Sequence, residues 1–282
     1  MGPSVPRRTL ADSVVGGGLG LHSGVRTGLI LHPLPPGSGI RFGRVGSESY
    51  VDAVVENVDS TGYATTLYKD GMVARTVEHL LATLHAYGVT DLLVKVEGEV
   101  PILDGSAVQL CELIESAGVV AHGAPVSTFG VEREVRVDAG EDRFISISPY
   151  DGLRVTYELV YPEPVGAQTY CFELTGAESF KREIAPARTF GFVEEIRALE
   201  SAGLGQGGEG VSQLLAQLTL AGRALRIGQA GGGTTGQALD VAHRFWPPAL
   251  AFVLPDVAEN GEEPAPEVLL RGDVAAGADI HV

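Results

Sequence analysis

Cysteine and positive charge are scarce in this chain, and long apolar runs are absent. Only Cys111 and Cys171 occur in 282 residues. They lie far apart, and Cys111 falls on the apolar face of a predicted helix, so a reduced, cytoplasmic protein is expected. Lysine and arginine number 20 against 36 acidic residues, a formal net charge of -16. A surface of that sign neutralises no phosphates, which argues against a nucleic-acid partner. Arg7 and Arg8 have no apolar run behind them, so no signal peptide is expected. No segment approaches the roughly 20 apolar residues of a transmembrane helix. What is present is 44% hydrophobic residues and a mean hydropathy of +0.15, enough for a sizeable globular core. The length allows two modest domains.

The pattern alternates strands and helices. A glycine-rich stretch, Gly16-Gly17-Gly18 and then Gly20-Leu21-His22-Ser23-Gly24, precedes the strand-like 27–31. A phosphate loop needs a helix after it, so a β-hairpin turn is the better reading. Further strands are expected at 39–44, 50–58 and 65–67, with Asp70-Gly71 turning the chain. Ser106 and Gln109 read as a capping box for a helix with Ala107, Leu110, Cys111, Ile114 and Ala117 inward and Gly118 ending it. Residues 121–127 read as a linker. Beyond it, strands are expected at 131–137, 144–147, 154–160 and 168–172, with Asp151-Gly152 as a hairpin turn. A helix follows with Val193, Ile196, Leu199 and Ala202 inward and Gly203 as its cap. Two more helices are expected near 211–222 and 237–245, flanking a short strand near 224–227 and the glycine-rich 231–236. The expected fold is therefore α+β: two similar domains, each a small sheet layered against two helices. The first spans 1–120, the second 128–246, and an acidic extension containing an apolar run at 249–254 fills 247–282.

One stretch carries chemistry. Thr76 reads as an N-cap, with Val77, Leu80, Leu81 and Leu84 on one apolar face. Glu78 lies beside that face and His79 almost opposite, among the small Ala82, Thr83 and Ala86. Spacing alone leaves two readings open, a surface Glu–His pair or a metal ligand next to a general base.

Four motifs occur together in order: Gly20-Leu21-His22-Ser23-Gly24, Thr76-Val77-Glu78-His79-Leu80-Leu81, Pro101-Ile102-Leu103-Asp104-Gly105-Ser106-Ala107 and Ala187-Arg188-Thr189-Phe190-Gly191-Phe192. This set resembles the UDP-3-O-acyl-N-acetylglucosamine deacetylases, zinc amidases of lipid A biosynthesis, from about residue 14 to 207. The resemblance implies two α+β domains with the active-site groove between them. It implies zinc as cofactor with His79 as a ligand, and Glu78 as the general base. It also implies substrate binding by Thr189, Phe190 and Phe192, and a UDP-linked acylated amino sugar as the substrate.

The second half departs from that pattern. The family takes two more zinc ligands from a His-Lys-x-x-Asp helix and its general acid from a Ser-Gly-His turn, and neither string occurs here. Anchoring on 218–222 puts Glu209, Gly210 and Gln213 at the helix positions, Gln217 at a supporting aspartate and Gly236 at the catalytic histidine. Another register does not restore the motif, because the only lysines are Lys69, Lys95 and Lys181 and the only later histidines are His243 and His281. Glu209 is then the candidate second ligand and the amide oxygen of Gln213 a poor third, with His243 or Asp240 on the last expected helix as further candidates. Three readings follow: an altered deacetylase, a non-catalytic homologue binding a UDP-sugar, acyl ligand or protein, and a second half changed by deletion or frameshift.

Overall fold

The structure, a computed structural model, describes residues 5–126, 130–138, 143–161, 165–189, 191–208 and 278–281. These form an α+β chain whose buried apolar residues, from both halves and apart from Ile102 and Val126, belong to one connected cluster.

In the first half the strands are β1 (Arg8–Leu10), β2 (Val14–Leu19), β3 (Arg26–Pro33), β4 (Ile40–Gly43) and β5 (Tyr50–Asp52). They continue with β6 (Val58–Ser60), β7 (Thr66–Lys69) and β8 (Met72–Arg75). Helix α1 (Glu78–Ala86), β9 (Leu92–Lys95), α2 (Val108–Ala117) and β10 (Val119–Ala121) complete it. A five-stranded sheet runs β2-β3-β9-β4-β5, and β6-β7-β8 form a small antiparallel sheet. Strand β3 alternates as a half-buried strand should, with Thr27, Leu29 and Leu31 inward. On α1, Val77 and Leu80 are fully buried and Leu84 nearly so, while Leu81 is half-buried. Burying a leucine side chain of this kind contributes about 1.5–3 kcal/mol.

Several local expectations shift. Residues 50–58 are not one strand: β5 ends at Asp52, and a 3₁₀ turn (Val55–Asn57) precedes β6. Asn57 Nδ2 donates to the Asp52 carbonyl at 2.9 Å and closes that turn, an alternative the side chain offers the backbone. The expected linker is paired as far as Val126: β10 lies antiparallel to β1, and Val126 N–H donates to Val5 O at 2.8 Å. Buried Asp91 fastens this edge, accepting from Gly39 N–H at 3.0 Å and lying 3.1 Å from His122 Nε2 and 3.5 Å from Arg7. Burial pushes the Asp91 carboxyl up, but hydrogen bonds from Gly39, Thr90 and His122 and the Arg7 charge outweigh it and hold it below its ordinary value.

The second half holds β11 (Val135–Asp138), β12 (Phe144–Pro149), β13 (Leu153–Val160), β14 (Ala167–Leu174), α3 (Ala177–Glu183), α4 (Val193–Ser201) and β15 (Ala278–His281). The expected hairpin at Asp151-Gly152 does not form. Strand β15 enters between β12 and β13, antiparallel to the first and parallel to the second, giving the order β11-β12-β15-β13-β14. A strand from the far end of the chain satisfies the backbone groups a local hairpin would have paired. Helix α3 was not expected, being short and without an apolar stripe. Lys181 on it lies 2.7 Å from Glu115 Oε2, and Tyr87 OH donates to Glu115 Oε1 at 2.6 Å, so the end of α1, α2 and α3 meet at one carboxylate. On α4, Ile196 and Leu199 are half-buried, while Ala202 is exposed rather than inward. Gly203, at φ 76, ends the helix as expected. The helices, strand and glycine run expected between 211 and 245, and the apolar run 249–254, lie outside the described residues.

Candidate active site

The site is built on the first turn of α1, and its geometry starts one residue earlier. Thr76 is not the N-cap. It adopts φ 57, a left-handed conformation that is an outlier for a β-branched residue, and its hydroxyl donates to Glu99 Oε1 at 3.1 Å. Val77 takes the cap position without a side-chain hydrogen bond. The helix therefore starts at Glu78, and Glu78 and His79, at 3% and 4% exposure, are buried instead of forming a surface pair.

Glu78 Oε2 accepts the Thr65 N–H at 3.1 Å. Burial pushes its carboxyl up to about 7, against hydrogen bonds from its own N–H and that of Thr65, and the nearby Glu99 charge adds to the rise. A carboxyl balanced between its two forms near neutrality can both take and return a proton.

The glycine-rich turn is a hairpin, as expected, joining β2 to β3. Its backbone closes over Glu99, which accepts His22 N–H at 2.9 Å and Ser23 N–H at 3.0 Å. A Cβ at Gly20 would fall on the Glu99 carboxylate and the Ser23 hydroxyl, so the glycine lets the turn close this tightly. The buried His22 imidazole finds no hydrogen-bond partner for either ring nitrogen among the described residues. The segment after α4 packs on the same turn: Gly207 N–H donates to Leu21 O at 2.9 Å, so close that a Cβ on Gly207 would strike the Gly20 carbonyl.

The third and fourth motifs lock together. Thr189, buried, donates its N–H to Gly105 O at 3.0 Å, and Ala107 N–H donates to Ala185 O at 2.9 Å. Arg188 Nη2 donates to Asp104 Oδ2 at 2.9 Å, while Asp104 Oδ1 accepts the Ser106 N–H at 3.0 Å and hydroxyl at 2.7 Å. Ser106 is therefore not the cap of α2; Ala107 is, and the serine closes the turn before it. Pro101, at the start of this segment, bridges to Gly20. The two motif pairs are thus continuous through residues 99–107. Phe192 caps α4 through its N–H to Glu195 Oε2 at 3.0 Å and meets Tyr161 edge-on at 5.6 Å. Phe190 and Glu209 lie outside the described residues.

Comparison with known proteins decides the family. The family model of the UDP-3-O-acyl N-acetylglycosamine deacetylases (LpxC) matches residues 7–219. The chain belongs to this family. Among relatives, the UDP-3-O-acyl-N-acetylglucosamine deacetylase of Nitratiruptor sp. is 39% identical over 204 residues, covering 72% of this chain and 68% of the relative. That of Sulfurimonas denitrificans is 38% identical over 202 residues, covering 71% and 68%. That of Myxococcus xanthus is 41% identical over 209 residues, covering 73% and 66%.

Glu78, His79 and Thr189 are legible as site residues in the sequence, whereas Glu99 and the His22 imidazole are not. Val94, Val96, Val100 and Ile102 alternate inward, and Glu99 is out of phase with them. Its burial comes from the turn folded over it, which no local period records. No helix among the described residues is long and apolar enough to cross a membrane.

Proposed function

We propose that the protein removes the acetyl group from UDP-3-O-acyl-N-acetylglucosamine, with Glu78 as the general base. The observation that carries this is a buried carboxyl, raised to about 7, beside a buried imidazole at the start of one helix in a chain of the deacetylase family. Glu78 takes a proton from water as its oxygen attacks the acetamide carbonyl carbon. Collapse of the tetrahedral adduct breaks the C–N bond. Glu78 returns the proton to the leaving nitrogen, giving acetate and the free amine. Placing Thr189 and Phe192, with Phe190, on the substrate rests on the motif resemblance, supported by the hydrogen bond that holds Thr189 to the Gly105 turn. The reading of two similar α+β domains, 1–120 and 128–246, rests on the order of strands and helices in the sequence, and the groove between them on the motif resemblance. A cytoplasmic location rests on cysteine usage, with Cys111 and Cys171 both free thiols.

Zinc is the cofactor the family implies, and His79 its proposed ligand here. A zinc site takes three or four His, Cys, Asp or Glu ligands. The described residues hold no group of three or more such side chains, so they do not complete a site, and the steps above run through Glu78 alone. When bound, zinc would acidify the attacking water. No feature of the described residues favours a non-catalytic protein.

The test is acetate release from the UDP-linked substrate by the parent protein and by Glu78→Ala. The parent turns over, and the variant loses at least about 100-fold in kcat, the scale of general-base catalysis. An unchanged rate in the folded variant refutes the role of Glu78.

A further inference from the structure

Glu99 is as buried as Glu78, at 3% exposure, and no cation pairs with it among the described residues. An ionised carboxylate is costly to bury unless its oxygens are saturated by donors. Here they are: His22 N–H and the Thr76 hydroxyl reach Oε1, and Ser23 N–H reaches Oε2. Burial pushes the Glu99 carboxyl up, but hydrogen bonds from His22 N–H, the Ser23 hydroxyl and N–H, and the Thr76 hydroxyl outweigh it and hold it below its ordinary value, so the charge is kept.

The donors come from two places far apart in sequence. His22 and Ser23 belong to the hairpin turn, and Thr76 is the left-handed residue from which α1 departs. A left-handed threonine is strained and persists only where its surroundings hold it. At Thr76 the holding groups are the Glu99 carboxylate and the backbone on either side: Arg75 N–H donates to Gly98 O at 2.9 Å and Val100 N–H to Arg75 O at 2.9 Å. The direction in which the chain leaves Thr76 sets where Glu78 and His79 sit. The Thr65 loop reports on that direction, because Val77 N–H reaches Thr65 O at 3.5 Å while Thr65 N–H reaches Glu78 Oε2.

We propose that Glu99 is a positioning residue: its carboxylate clamps the His22–Ser23 turn to Thr76 and so fixes the first turn of α1, where Glu78 and His79 sit. The catalytic part of this proposal rests on the reading of Glu78 as the base. The clamp itself does not.

The test compares the full chain with Glu99→Ala and Glu99→Gln. The glutamine keeps an acceptor for His22 and Thr76 but turns an NH₂ toward the Ser23 amide, so it serves as partial rescue and as the backup should the alanine variant fail to fold. Amide hydrogen exchange is followed at Thr65 and at the sheet amides of β3 and β9, alongside kcat and KM. In Glu99→Ala, Thr65 exchange is expected to rise about 30-fold more than exchange in the sheet, as local opening does and global destabilisation does not. The kcat is expected to fall about 100-fold with KM within about threefold, the cost of a misplaced catalytic group, and Glu99→Gln to lie between. A Thr65 rise no larger than that of the sheet overturns the proposal, as does a kcat within about threefold of the parent. Should the parent itself release no acetate, the reading of Glu78 fails, and Thr65 exchange alone decides the clamp.

Discussion

Replacing Glu78 by glutamine tests the electrostatics of the site without any substrate. In the folded chain the Glu78 carboxyl titrates at about 7 rather than its ordinary 4.5. Folding therefore favours the protonated form, and between these two values the native state holds a proton that the unfolded chain has released. Stability must then fall as pH rises through this window and level off above about 7. Each pH unit in the window costs about 1.4 kcal/mol, so the full penalty is about 3 kcal/mol. At 3% exposure there is little solvent to screen it. Glutamine imitates the protonated acid in shape and can still accept the Thr65 N–H, but carries no charge to desolvate. Urea unfolding of the metal-stripped parent and Glu78→Gln at pH 5 and pH 8.5 measures the difference, in which other titrating groups cancel. The two proteins should differ little at pH 5, whereas the variant should be more stable by about 2–3 kcal/mol at pH 8.5. A difference that does not change with pH, or a variant less stable at pH 8.5, refutes the argument that burial dominates at this carboxyl.

Elemental analysis of protein purified without chelator should find about one zinc per chain, lost in His79→Ala. Protein that takes up no zinc even when zinc is added back would remove the metal from this site. Leu84→Ala, which empties a nearly fully buried position on the core face of α1, should cost about 2–5 kcal/mol in urea unfolding. A loss below about 1 kcal/mol would mean that α1 does not hold the core as described.

The legible parts of the fold were those whose signal is local. The stripe of Val77, Leu80 and Leu84 marked α1, the alternation in 27–31 marked β3, and the apolar set from Leu110 to Ile114 marked α2. Asp70-Gly71 marked a tight turn, and both residues do take positive φ. Cap positions differ from expectation at Thr76 and Ser106. Thr76 gives its hydroxyl to Glu99, a distant partner invisible to spacing, whereas Ser106 sits one residue too early: its hydroxyl donates to Asp104 and accepts the Val108 N–H at 3.3 Å, while Ala107 takes the cap position. The hairpin expected at Asp151-Gly152 failed because β15 comes from more than a hundred residues away.

The amino-acid sequence by itself determined the family, through four motifs held in order, and with it the identity of Glu78, His79 and Thr189 as candidate site residues. Side-chain chemistry of that kind is carried by residue type and order. It also determined the strands and helices whose apolar period is strong. Only the tertiary structure decided that Glu78 and His79 are buried and not a surface pair, because burial depends on what folds over them. The Thr65 loop reaches Glu78, and the Glu99 carboxylate, itself held by the turn at 20–24, reaches Thr76 just before α1, all from distant parts of the chain. The raised proton affinity of Glu78 follows from that enclosure, since desolvation is a property of the surrounding space and not of the neighbouring residues in sequence.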